Sequence, residues 1–93
     1  MKIVINRCFG GFGLSDLASE MYCAAKNIAA DNFFDRDVPR NDPVLVEIIE
    51  KLGTAADGRY SELKVVDIPD DVDWYIHDYD GMEKVHEHHR EWS

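Results

Sequence analysis

The pair Asp80-Gly81, set between two alternating segments at 73–79 and 82–86, limits most what this chain can fold into. Asp-Gly accepts the positive backbone φ that a two-residue hairpin turn demands, and the alternation on either side supplies its strands. An all-helical bundle is thereby excluded. On the first of these strands Trp74 and Ile76 fall on one face, and Tyr75, His77 and Tyr79 on the other. A second local signal excludes an all-β fold. Asp42 is a capping carboxylate, Pro43 fits the first helical position, and Val44, Leu45, Ile48, Ile49 and Leu52 recur on one face until Gly53 stops the helix.

The remaining elements follow from weaker patterns. Residues 2–6 are a short β-branched run that reads as a strand, ending at Gly10-Gly11-Phe12-Gly13. Ser15 and Asp16 open another helix, whose expected apolar stripe is Leu17, Met21, Ala24 or Ala25, and Ile28. Residues 29–41 read as an irregular connection anchored by Phe33 and Phe34, and residues 63–68 as a strand halted by Pro69. The tail, with Met82, Val85, His89 and Trp92 three and four residues apart, fits either a strand or a terminal helix. The expectation is an α+β fold in one domain spanning residues 1–93: two helices packed on a short mixed sheet, in the order β-α-α-β-β-β. Ile3, Ile5, Leu17, Met21, Ile28, Leu45, Ile48, Ile49, Leu52, Val65 and Ile76 form the expected core.

Charge sorts the classes of partner. Nineteen acids against ten Lys and Arg leave −9, and residues 47–93 alone carry thirteen acids and five cations. Direct nucleic-acid binding needs clustered cations, and an anionic membrane surface needs them too, so neither partner is expected. No apolar run approaches the roughly 18 residues of a membrane span. Met1-Lys2 leads into strand-like sequence rather than a signal peptide, and two cysteines, Cys8 and Cys23, are too few for a disulfide scaffold. A cytoplasmic setting is the expectation.

Four features bear on chemistry. The glycine loop lies between a strand and a helix start, where free amides and the helix dipole favour an anion. Gly11, Phe12, Gly13 and Ser15 would be the ligands of a phosphate or nucleotide, in a pocket that oligomerisation would have to complete. The fingerprint is incomplete: no Lys-Ser/Thr follows, and Asp16 stands where a third glycine would be needed. A turn whose glycines permit close packing is the plainer reading. The second feature, Glu83, His86, Glu87, His88 and His89, offers metal-binding side chains without the separated segments that fix a zinc site, so no metal or other cofactor is expected. Third, Cys8 beside the glycine loop lacks a base at any telling spacing, and no catalytic residue is assigned.

The fourth feature is the strongest. Half of the twelve aspartates fall between 67 and 80, interleaved with Trp74, Tyr75 and Tyr79. Aromatics anchor protein interfaces and acidic rims steer basic partners, so Asp70, Asp71, Asp73, Tyr75, Asp78, Tyr79 and Asp80 form the expected partner-binding set. Trp74 is the first to leave that set if it faces the core. Carboxylates spaced along a strand edge also imitate the regular charge of a nucleic-acid backbone. The plainer reading is a solvated acidic face that keeps a small domain in solution.

Several stretches resemble small uncharacterised proteins encoded by bacteria and their phages. They are Lys2-Ile-Val-Ile-Asn6 with the loop to Ser15, Asp37-Val-Pro-Arg-Asn-Asp-Pro43, Ile68-Pro-Asp-Asp-Val-Asp-Trp74, Tyr79-Asp-Gly81, and His89 to Trp92. The likeness spans most of the chain and varies around 27–36. It carries no catalytic residues. What it implies is a setting, a small acidic phage or prophage protein in the host cytoplasm. By analogy of size and charge, such a protein inhibits a nucleic-acid-handling or defence protein of the host, as anti-CRISPR proteins do.

Overall fold

The structure is a computed structural model and describes residues 1–87 and 91–92. Five strands and two α-helices follow in the order β1 (Lys2–Asn6), α1 (Asp16–Lys26), α2 (Pro43–Leu52), β2 (Leu63–Asp67), β3 (Tyr75–Tyr79), β4 (Met82–His86) and β5 (Glu91–Trp92). Short 3₁₀ turns at Ala30–Asn32, Asp35–Asp37 and Gly53–Ala56 join them. The α+β class agrees with the sequence expectation, and the element order agrees through β4, after which the two-residue β5 is an additional strand. The single mixed sheet does not: β1 pairs with β2 and β3-β4-β5 form a second sheet, both antiparallel.

The reason lies at the free edge of β1. In the β1-β2 ladder Ile3 stands opposite Val66 and Ile5 opposite Lys64, and the flanking amides of Arg7 and Ile68 bond across the ribbon. The even residues face away from β2. There Val4 N–H donates to the Arg40 carbonyl at 2.8 Å, and Asn6 N–H donates to a Glu83 carboxylate oxygen at 2.8 Å. The Arg40 segment and the Glu83 side chain thus hold bonds that a neighbouring strand would otherwise make, and β4 cannot join this sheet.

Both faces of β1 are covered, which is why it reads as an unbroken apolar run. Val4 faces the helices and packs with Leu14, Ala18, Tyr22, Leu45, Ile48 and Ile49. Ile3 and Ile5 face the other way, onto Val85 of β4, with Val66, Ile68, Trp74 and Ile76 around them. The ribbon is a middle layer between the helices and the hairpin.

Helix α2 behaves as its start and stop signals require. The Asp42 side chain accepts from Val44 N–H at 2.8 Å, Pro43 follows, and Gly53 ends the helix at φ 59°. Helix α1 is capped by Ser15, whose hydroxyl accepts from Ala18 N–H at 3.1 Å. Its buried stripe is Ala18 and Tyr22 rather than the expected Leu17 and Met21: Leu17 is 48% exposed, and Met21 only half-buried. Close approach of α1 to α2 favours the small Ala18 at the contact over the larger Leu17. Tyr22 then reaches Asp42, its hydroxyl donating at 2.8 Å to the second carboxylate oxygen, which Lys26 also meets at 3.1 Å. Burial, reinforced by this carboxylate, pushes the phenol up to about 12. Burial alone would raise the Asp42 carboxyl, but bonds from Tyr22, Val44 and Lys26 outweigh it and hold the group below its ordinary value. Of the two loop anchors expected, Phe33 packs on the core and Phe34 is exposed.

Candidate functional site

The glycine loop and the acidic hairpin, separate features in the sequence, meet in space. Asp80 and Gly81 both take positive φ, 51° and 91°, and form the expected two-residue turn. The turn lies directly on the loop: a Cβ at Gly81 would come within 2.4 Å of the Gly11 nitrogen. Asn6, fully buried at the end of β1, joins the pieces. Its side-chain amide donates to the carbonyls of Cys8 and Gly81, both at 2.6 Å, and its oxygen accepts from Glu62 N–H at 2.9 Å.

Beneath the turn lies an ion pair. Glu83 is 3% exposed, and both its oxygens accept from the Arg40 guanidinium, at 2.5 and 2.9 Å. The guanidinium also stacks 3.6 Å over the Phe12 ring. A planar fork against a carboxylate on one side and an aromatic face on the other uses both properties of arginine. Arg36, Asp78 and Asp80 join Arg40 and Glu83 around an open groove of about 580 Å³.

That arrangement is poorly suited to an anion. Of the expected ligands, Phe12 is buried, and the Gly13 carbonyl accepts from Gly58 N–H at 3.1 Å and Ser61 Oγ at 2.7 Å. Ser15 caps α1 and donates its hydroxyl to the Ala55 carbonyl, while Leu14 N–H bonds to the Asp35 carboxylate at 3.0 Å. Asp35 thus already supplies an anion to the loop, and around the groove Glu83 neutralises Arg40 while Asp78 and Asp80 stand against Arg36.

The expected partner-binding residues all lie at the surface, in two groups. Asp70, Asp71 and Asp73 precede β3; Asp78 and Asp80 lie at its far end, about 15 Å along a five-residue strand. Asp70 is engaged: it accepts from the chain's first ammonium at 2.5 Å, beside the Ile68 carbonyl at 2.7 Å. The bond to Asp70 outweighs desolvation and raises that ammonium, and the same bond lowers Asp70. Asp78 accepts from Gly81 N–H at 2.7 Å and so supports the turn. Trp74 packs on the inner core and leaves the surface set.

The outer face of the hairpin is aromatic. Tyr75 stands opposite His86, His77 opposite Lys84, and Tyr79 opposite Met82. The rings of His77 and His86 are 5.3 Å apart and those of Tyr75 and His86 5.5 Å. Tyr75 is 54% and Tyr79 67% exposed, and Phe9 closes one end of a shallow hollow of about 420 Å³ bounded by His77, Tyr79, Met82, Lys84 and His86. The residues considered for a metal are divided by this geometry. Glu83 shares the inward face with Val85, and His86 lies on the outer one. His88 and His89 lie outside the described residues. Among the described residues no group of three or more metal-ligating side chains converges.

Sequence reasoning missed Phe9, Asn6 and Arg40. Glu83 was detectable, since the alternation that buries Val85 also buries the residue two positions before it. For Asn6 and Arg40 nothing local signals a partner, because theirs lie up to 77 residues away. Comparison with family models, curated proteins and solved structures finds no match. No helix among the described residues is long and apolar enough to cross a membrane.

Proposed function

We propose that this protein is a non-enzymatic interaction module that docks a basic protein surface with the outer face of its hairpin. The observation carrying this reading is the exposure of Tyr75 and Tyr79 on one face of β3 with Asp71, Asp73, Asp78 and Asp80 exposed at its two ends. Large aromatics clustered in solvent and rimmed by polar groups mark interaction surfaces, and tyrosine anchors such contacts with an apolar ring and a polar tip. The acids steer a cationic partner and make association salt-dependent. A nucleic-acid-binding groove is the kind of surface this charge fits. In the phage setting implied by the sequence resemblance, the partner is a nucleic-acid-handling or defence protein of the host, and docking inhibits it. Phosphate or nucleotide binding at the glycine loop is disfavoured by the engagement of Leu14 N–H with Asp35 and of the Ser15 hydroxyl with Ala18 and Ala55.

The test compares capture from host extract by the wild type, by Tyr79→Ala, and by the pair Asp71→Lys and Asp73→Lys. Among the described residues the side chains of Tyr79, Asp71 and Asp73 are exposed, and the substitutions leave the backbone pairing of Tyr79 with Met82 in place. The expected result is a partner retained by the wild type, lost by both variants and released by salt. Capture unchanged in both variants overturns the reading.

A further inference from the structure

We infer that the partner joins the protein as an added β-strand: an extended basic segment pairs with the free edge of β3. This rests on the interaction reading above and specifies its geometry. A two-residue turn makes Tyr79 and Met82 a hydrogen-bonded pair, so Tyr75, His77 and Tyr79 direct their backbone groups to β4. The N–H and C=O of Ile76 and Asp78 then point away from the sheet, where β3 is the outermost strand.

The outer edges of β1 and β2 are partly occupied. On β1, Arg40 and Glu83 occupy the outer bonding positions. On β2, Leu63 N–H, which faces away from β1, donates to the Asp57 side chain at 2.9 Å. Among the described residues β3 has no comparable guard, and it contains neither proline nor a bulge. Proteins normally blunt such edges, and an open one is a template for a further strand.

Charge selects the occupant. Asp78 lies within the strand, with Asp73 and Asp80 beyond its ends, and all three are exposed. A second copy of this chain would bring like charges together along the seam, on molecules that each carry −9. An incoming segment alternating lysine or arginine with apolar residues fits instead. Its cations meet Asp78 on one face, and its alternate side chains lie along Tyr75 and Tyr79 on the other, where aromatic rings accept either apolar or cationic neighbours.

The probe is an acetylated peptide of about seven residues that alternates lysine and valine. It is compared with two copies N-methylated on alternate residues, one in each phase, and binding to the full chain is measured at low salt. One methylated phase should bind as the parent does and the other about tenfold more weakly, since a methyl group removes the donors that face β3. In the parent complex the Ile76 and Asp78 amides should exchange at least about tenfold more slowly than in the free protein. Equal binding by both methylated phases overturns strand addition while leaving the basic-partner reading intact. No binding by any of the three peptides overturns both. Concentration-dependent protection of Ile76 and Asp78 in the chain alone identifies a second copy as the occupant and overturns the basic segment.

Discussion

Arg40 and Glu83 show how one buried pair can stand in for a strand. The carboxylate is nearly inaccessible, so removing its cation leaves a buried charge that the bond from Asn6 N–H offsets only in part. Arg40→Ala is expected to lower stability by about 3 kcal/mol in urea titration, the lower end of the buried range because the guanidinium is 17% exposed. The Tyr22–Asp42 contact makes a prediction in pH. The Asp42 carboxyl is held below its ordinary value, so its contribution is complete above the unfolded pKa near 3.8 and is lost as pH falls through the lower folded value. Tyr22→Phe removes one of the bonds responsible. It should cost about 1–2 kcal/mol at neutral pH, and the difference from wild type should shrink in acid unfolding curves below pH ~3.8. The cap at Asp42 was legible in the sequence because capping is local. Arg40 was not, because a cation 43 residues from its carboxylate leaves no trace in any short window.

Among the elements, the hairpin was the most legible and its docking the least. Turn position, strand register and the inward turn of Trp74 and Ile76 all follow from alternation about Asp80-Gly81. That the turn abuts the glycine loop follows only from three-dimensional packing. Gly81→Ala combines a positive φ with a methyl group driven into the Gly11 backbone, and should cost about 1–3 kcal/mol while separating Phe9 from the hairpin. Loss of nuclear Overhauser contacts between Phe9 and β4 measures that separation. Helix α1 was placed correctly but rotated by one residue. Periodicity weighed Leu17 and Met21 by hydrophobicity, whereas the bond from the Tyr22 hydroxyl to Asp42 draws the face of Ala18 and Tyr22 inward.

For the whole molecule, charge and layering matter together. Composition alone gave the excess of acid, and the structure leaves much of it exposed on the hairpin side of the ribbon, at Asp71, Asp73, Asp78 and Asp80. Self-repulsion of this kind is screened by ions. The melting temperature should therefore rise as NaCl is raised from about 10 mM to several hundred mM, where the Debye length falls below ~10 Å; a fall would mean that surface ion pairs dominate. The single mixed sheet suggested by the order of elements gave way to two sheets because side chains, invisible to strand patterns, closed one edge of β1. The same strand has a further consequence during synthesis. Its sheet partner β2 lies about 60 residues later, so at typical elongation rates Ile3, Val4 and Ile5 wait roughly 3–12 s on the ribosome before a strand exists to pair with them. Until then the most apolar stretch of the first strand has no sheet to enter, and nascent-chain chaperones are its natural cover.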